Sequence, residues 1–210
     1  MIKYFIAAMT TIAVAAPALA YADGQGAFVQ AGAGQASQNH TGTSWSLSGG
    51  YRWAVASGLY VGLEGGYHDL ANGKFRYSAN ESFTDIDGPH RLNSQSVAHL
   101  GTKAVTFGVA ARWDFADKVY ATAHGGIARY RYRQRTEGTS TIDDQPPQDS
   151  HFAYSLFDTR WYAGAGMGYD FTPQLSLQFT YDHYPQHYSV YGYRFSNNLD
   201  IYSTALEFRF

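Results

Sequence analysis

The 210-residue chain has no cysteine, few charged residues and no apolar run long enough to cross a membrane as a helix. Without cysteine it carries no disulfide. A membrane-spanning helix needs about 20 apolar residues, and the longest mostly apolar run, Tyr4–Ala16, falls short of that. The net charge of −2 points to no polyanionic partner such as nucleic acid.

The histidines form no motif that is typical of metal ligands, such as HExxH. Five of the eight histidines lie at positions scattered along the chain: His90, His99, His151, His183 and His187. Solvated surface positions explain them, so the sequence predicts no metal site and no cofactor.

Glycine and aromatic residues are abundant, with 22 Gly, 18 Tyr and 13 Phe. In a membrane β-barrel, aromatic rings gather at both membrane interfaces and glycines relieve crowding in a narrow lumen. A soluble β-sandwich has a similar composition, so this feature favours a barrel without excluding the sandwich.

The N-terminus has the order of a secretory signal peptide. Lys3 precedes the apolar run, and Pro17 with small residues follows it, which is typical of an exported protein. We predict cleavage after Ala22, which divides the chain into a signal peptide (Met1–Ala22) and one mature domain (Asp23–Phe210). An exported chain without a membrane-spanning helix is periplasmic, secreted or a β-barrel.

The last nine residues alternate between two chemistries. Tyr202, Thr204, Leu206, Phe208 and Phe210 are apolar or tolerated in lipid, whereas the residues between them are small or charged. This alternation predicts a strand with one face toward lipid and the other toward an aqueous or ion-paired interior. The ending resembles the closing strand of bacterial outer-membrane barrels. The resemblance implies that Tyr202, Leu206, Phe208 and Phe210 form the signal read by the barrel assembly machinery.

Seven further segments alternate in the same way, and each is close to the roughly 9–11 residues that a tilted strand needs to cross a bilayer. The eight predicted strands are Gly26–Gln35, Ser44–Ala54, Leu59–Asp69, Thr102–Phe115, Val119–Arg131, Thr159–Phe171, Leu175–His183 and Tyr202–Phe210. The sequence therefore predicts an all-β fold, an eight-stranded antiparallel up-and-down transmembrane β-barrel.

The gaps between these strands are short and long in turn. The short ones are Val55–Gly58, Ala116–Lys118 and Thr172–Gln174, with Gly58 and Pro173 as turn residues. The long, polar ones are Ala36–Thr43, Leu70–Gly101, Tyr132–Asp158 and Tyr184–Asn198. Short periplasmic turns and long external loops are typical of outer-membrane barrels. We therefore predict periplasmic termini, with the second and third long loops as the binding surface.

Three stretches resemble the transmembrane domain of the OmpA family. They are Tyr60–Tyr67, Phe171–Leu175 with the strand that ends at Asp182, and Glu207–Phe210. Opacity-type adhesins and the OmpX/Ail group match these strand patterns nearly as well. The resemblance implies a monomeric protein of the bacterial outer membrane that supports envelope integrity. It also implies surface loops that contact a host or another surface ligand, and no peptidoglycan-binding domain is expected in this chain.

Eight titratable side chains are predicted to point into the lumen: Glu64, Arg112, Asp114, His124, Asp170, Asp182, Glu207 and Arg209. Buried charges must be paired, and an eight-stranded barrel has just enough interior for side chains, so we predict a plugged, structural lumen. In the OmpA family a lumen glutamate and an arginine form an ion pair proposed to gate a narrow channel. Glu64 matches the glutamate, but Gln178 stands at the arginine's position. The alternative, a narrow low-conductance porin, therefore depends on Arg112 as the partner of Glu64.

A less favoured alternative is an esterase. His187 and Ser189, with Asp200 further on, resemble the catalytic residues of the PagL family of lipid A deacylases, in which Ser attacks an ester and His is the base. Val190 stands where that family has Asn, and the spacing to the acidic residue differs by about one position. A polar surface loop explains the same residues, so we predict that the protein is not an enzyme.

Four arginines continue the outward face of the fifth predicted strand: Arg129, Arg131, Arg133 and Arg135. They lie above the hydrocarbon or follow a β-bulge. Guanidinium groups suit bidentate phosphate contacts, which leads to the hypothesis that they hold lipopolysaccharide phosphates at the edge of the outer leaflet. The alternative is a solvated extension of the strand.

Overall fold

The computed structural model is an antiparallel sheet that closes on itself. It describes residues 24–37, 42–86, 88–143, 145–190 and 193–210, with side chains at all of these except 71, 85, 186–190 and 193–197. The predicted signal peptide, Met1–Ala22, lies outside the described residues.

Eight strands are described, in the predicted order. They are β1 Gly26–Ser37, β2 Gly42–Ala56, β3 Leu59–Asp85, β4 Gly88–Asp114, β5 Val119–Ile142, β6 Gln148–Asp170, β7 Leu175–Val190 and β8 Tyr193–Arg209. Each pairs with its sequence neighbours, and β8 closes the ring against β1 with Phe28 opposite Arg209. The predicted eight-stranded up-and-down barrel is confirmed.

The short gaps form tight turns at one end of the barrel. Gly58 has a φ of +69°, a conformation that favours glycine, and its carbonyl oxygen accepts a hydrogen bond from the Asp114 amide at 2.8 Å. Between β6 and β7, the Thr172 hydroxyl oxygen accepts a hydrogen bond from the Leu175 amide at 3.0 Å. The first contact joins the β2–β3 turn to the end of β4, and the second closes the β6–β7 turn on itself.

The two longest predicted loops are in fact strands. Leu70–Gly101 and Tyr132–Asp158 continue β3 to β6 into long hairpins, so β3 and β4 each have 27 residues. Polar residues stand on both faces and interrupt the apolar alternation in these segments, although neighbouring strands still satisfy their backbone groups. We name as the projecting sheet the parts of β3 to β6 beyond the row formed by Asp69, Lys103, Arg131 and Phe157, which lie opposite one another.

One contact joins the tips of the two long hairpins. The His90 ring lies 2.6 Å from an Asp143 carboxylate oxygen, and the Arg91 amide donates to the other oxygen at 2.8 Å. Hydrogen bonding by the Arg91 amide, followed by that of His90, lowers the pKa of the Asp143 carboxyl. The projecting sheet is therefore held together at its outer end as well as at its base.

Aromatic rings border an apolar belt on the outside of the barrel. Near the tight turns, outward rings two residues apart contact each other at centroid distances of 5.0–5.6 Å: Tyr51–Trp53, Trp113–Phe115, Tyr169–Phe171 and Phe208–Phe210. Cross-strand pairs mark the other border, namely Trp45–Tyr67 and Tyr181–Tyr202. The belt on β4 runs from Trp113 to Lys103, about 25 Å at the usual strand rise and a tilt of about 40°.

Inward glycines let β2 and β3 lie close together in a narrow lumen. A Cβ on Gly62 would collide with the carbonyl oxygen of Tyr51. Gly65 lies on the same strand, and a Cβ there would meet Thr106 O at 3.5 Å, an ordinary contact.

We expect Gly62→Ala to destabilise the barrel by roughly 1–3 kcal/mol because two backbones must move apart. Gly65→Ala is the matched control and should be neutral or slightly stabilising, since alanine lowers the entropy of the unfolded chain. The measurement is the urea midpoint of the folded band in unheated gel electrophoresis. Equal midpoints for the two variants would contradict the packing described here.

Candidate functional site

The centre of the lumen near the tight turns is an ion pair between β2 and β8. Arg52 donates two hydrogen bonds to Glu207, from Nη1 to Oε1 at 2.9 Å and from Nη2 to Oε2 at 2.7 Å. Both side chains are buried, and Glu207 is 0% exposed. A bidentate guanidinium–carboxylate contact fixes both groups in one orientation.

Two further arginines complete this layer. Arg112 donates to Asp114 and to Asp170, each at 2.6 Å, and Arg209 donates to the other Asp170 oxygen at 2.6 Å. Both also lie 3.8 Å from Oε1 of Glu207. Three guanidinium groups thus face three carboxylates, and we name this set of six residues the charge layer.

Aromatic rings cover the cations of the charge layer. The Arg52 guanidinium lies 3.8 Å from the Phe28 ring centroid, and that of Arg112 lies 3.6 Å from the Tyr120 centroid. Cation–π contacts of this kind stabilise desolvated guanidinium groups. The lumen at this level is filled by charges and rings together.

A small polar chamber lies above the charge layer. Its volume is about 30 Å³, and its lining includes Ser46, Glu64, His68, His124, Asp182 and Ser203. The His124 ring contacts one Asp182 oxygen, and the Thr180 hydroxyl donates to the other at 3.0 Å. Such a volume holds about two water molecules.

A second layer of side chains covers this chamber toward the projecting sheet. Tyr162 and Tyr184 stack at 5.9 Å, and Tyr130 meets Tyr184 edge-on at 6.3 Å. Leu70, Leu199 and Ile201 pack into the same cluster. We name this set the tyrosine layer.

Two sequence-based expectations about the lumen differ from the structure. Glu64 accepts a hydrogen bond from the Tyr162 hydroxyl at 3.1 Å, whereas Arg112 contacts carboxylates of the charge layer, so the Glu64–Arg112 pair on which the porin alternative depends is wrong. Arg52 was missing from the predicted network. Its inward position follows from the alternation of β2, but its partner Glu207 is 155 positions away in sequence.

The four arginines of β5 lie where the apolar belt ends. Arg129, Arg131, Arg133 and Arg135 are exposed on the outward face. The register of β5 with β4 and β6 advances one residue at a time past them, which excludes a bulge in β5. Phe157 lies 5.7 Å from the guanidinium groups of both Arg129 and Arg131.

Asp200 has a histidine partner on the outward face of β7. The His183 Nδ1 atom lies 2.6 Å from Asp200 Oδ1, and the Tyr181 hydroxyl donates to the same oxygen at 2.9 Å. The side chains of His187 and Ser189 lie outside the described residues, and the His187 backbone pairs opposite Ser196. The carboxylate that the esterase alternative requires therefore contacts a different histidine.

Within the described ranges, no helix has the length and apolar character to cross a membrane. Over the same part of the chain, no three His, Asp or Glu side chains are arranged to hold a metal ion.

A closed antiparallel barrel with an apolar belt, two aromatic borders and a charged interior is a transmembrane β-barrel. Residues 5–210 match the family model of the outer membrane protein beta-barrel domain. The chain belongs to this family of the bacterial outer membrane, as its resemblance to small OmpA-like barrels indicated.

Solved structures of small barrels are similar to the chain at low identity. Ail of Yersinia pestis, in complex with the heparin analogue sucrose octasulfate, is 12% identical with a TM-score of 0.44, over 89% of this chain and 97% of that chain. The N-terminal barrel of Pseudomonas aeruginosa OprF is 14% identical with a TM-score of 0.35, over 87% and 97%. The outer membrane enzyme PagL is 16% identical with a TM-score of 0.37, over 87% and 99%. No curated protein matches the chain.

Replacing Glu207 should destabilise the protein strongly, because Glu207→Gln leaves buried arginines with less negative charge than they need. We expect a loss of about 3–5 kcal/mol. Glu137→Gln removes the carboxylate of an exposed pair with Arg135 and should cost about 1 kcal/mol or less. Urea unfolding followed by tryptophan fluorescence measures both. Similar midpoints for the two variants would show that the charge layer does not hold the barrel.

Proposed function

We propose that this outer-membrane barrel is a plugged scaffold that supports the envelope and acts through its external surface. The observation that carries the proposal is the filling of the lumen by two layers, the charge layer and the tyrosine layer. Tyr130 and Tyr184 in the upper layer and Arg112 in the lower one are each 1% exposed or less. The chamber between them has room for about two waters.

A narrow pore is the second candidate, because charged and polar groups follow one another along the lumen. Arg112, Glu64 and Asp182 lie at successive levels of the interior, and an ion pair that opened would expose them to water. The fixed contacts of Arg112 with two aspartates favour a permanent plug.

Planar-bilayer conductance of the refolded protein and of Arg112→Ala separates the two candidates. We expect no discrete openings from either protein, because the tyrosine layer still fills the lumen after Arg112 is shortened. Heat-modifiable gel migration is the control that both are folded. Openings that become larger or more frequent in Arg112→Ala would establish a pore gated by the charge layer and would overturn the plugged scaffold.

The projecting sheet is the surface we propose for adhesion or other contacts outside the cell. Tyr77 and Phe152 expose 64% and 55% of their area there and offer aromatic contact area to a partner. The sheet is built from paired strands, so it presents these rings on a rigid support.

The arginines of β5 support a contact with lipopolysaccharide phosphates. They lie directly above outward residues such as Ile127, which is 60% exposed and faces the hydrocarbon. Lys103 lies opposite Arg131. Like charges opposite each other destabilise a sheet, and an anionic lipid phosphate between them would offset that repulsion.

Replacing Arg129, Arg131, Arg133 and Arg135 with Gln should reduce co-purifying lipopolysaccharide several-fold, because the phosphate contacts are charge-assisted. The matched control replaces the same four residues with Lys, which keeps the charge and removes the bidentate geometry. We expect intermediate retention in that variant. The measurement is lipopolysaccharide phosphate per mole of folded barrel. Unchanged retention in the four-Gln variant would remove this contact and leave a solvated strand extension.

A further inference from the structure

One outward face runs without interruption from the apolar belt to the tip of the projecting sheet. The β4–β5 register is continuous from Trp113 opposite Ala121 to Leu92 opposite Ile142. Alternate residues of these strands therefore keep the same side over the whole length. A molecule seated in the outer leaflet against the belt can extend along this face without crossing a sheet edge.

The part of this face nearest the belt is basic. A concave region of about 350 Å³ there includes Lys103, Arg131, Arg133 and Arg135 in its lining. Gly101 lies opposite Arg133, and the Asn72 side chain lines the same region. This basic groove is the position of the proposed phosphate contacts.

Beyond Arg135 the chemistry of the face changes. A larger concave region of about 630 Å³ is lined by Asn93, Gln95, Val97, Thr139, Thr141 and Asp149, among others. None of the described residues that line it is Lys or Arg. Amide, hydroxyl and carboxylate groups both donate and accept hydrogen bonds, which suits uncharged hydroxyl-rich ligands rather than phosphates. We name this region the polar groove.

The order of the two grooves matches the order of groups in a phosphorylated glycolipid. Its acyl chains lie in the membrane, its phosphates lie at the membrane surface and its sugars extend outward. Arg133 and Thr139 are separated by about 20 Å along β5 at the usual rise per residue. The polar groove thus lies at the distance of several sugar units from the phosphates.

We propose that the polar groove binds the core sugars of lipopolysaccharide, so that the two grooves form one continuous glycolipid site. This inference rests on the proposed phosphate contact at the basic groove. Gln95 and Thr139 lie opposite each other at its centre, and the Thr139 hydroxyl donates to Asp149 at 2.8 Å, which orients the groups that face the ligand. Strand positions hold these side chains more rigidly than loops would.

The test compares binding of two purified probes to the full barrel in phospholipid nanodiscs: lipid A alone and lipopolysaccharide with a complete core oligosaccharide. The test variant is Gln95→Ala/Thr139→Ala. The matched control is Ser94→Ala/Ser140→Ala, since Ser94 and Ser140 form the adjacent opposed pair whose side chains point to the other face.

We expect the unmodified barrel to bind the core-bearing form about tenfold more tightly than lipid A, the effect of one or two net hydrogen bonds. Gln95→Ala/Thr139→Ala should remove this difference and leave lipid A binding unchanged. Ser94→Ala/Ser140→Ala should preserve both affinities.

The outcomes separate this inference from the function on which it rests. Equal affinity of the unmodified barrel for both probes, with binding still lost in the four-Gln arginine variant, would refute the polar groove alone. Failure of both probes to bind would refute both proposals. Binding of the free core oligosaccharide to the four-Gln variant at full strength would show a sugar site independent of phosphates and would overturn the continuous site.

Discussion

The neutralisation of buried charge between Arg52 and Glu207 is the interaction on which the rest of the structure depends. It joins β2 to β8 across the lumen with two hydrogen bonds, and Arg112 and Arg209 reach the same carboxylate from other strands. Charges removed from water are costly unless they are paired. The interior of this barrel therefore favours one register, in which all these groups meet.

Closure of the barrel at the charge layer determines the structure of the end that carries the projecting sheet. The narrow ring brings Tyr130, Tyr162 and Tyr184 together above the chamber, so the interior is used for stability. The same ring fixes the register of β3 to β6, and these strands continue outward as the projecting sheet. The side chains that we propose to contact external molecules consequently lie on the outside of the strands rather than inside the barrel.

The sequence predicted the membrane-spanning strands well because each has one apolar and one polar face. It failed for the projecting parts of β3 to β6, where polar residues on both faces interrupt the apolar alternation. The alternation of side chains along each strand correctly predicted that Arg112 and Glu207 point inward. The pairing of each charge depends on strand register, however, which brings together residues far apart in sequence. That is why Arg52 was overlooked and Glu64 was given the wrong partner. The partnership of Asp200 with His183 was missed for the same reason.

A double-mutant cycle between Arg52 and Glu207 tests the central claim most directly. The free energy of unfolding is measured for Arg52→Met, Glu207→Gln, the double variant and the unmodified protein. Our account predicts that the double variant loses less stability than the sum of the single variants, with a coupling of about 1–3 kcal/mol. Additive losses, within about 0.5 kcal/mol, would contradict the view that this ion pair organises the barrel.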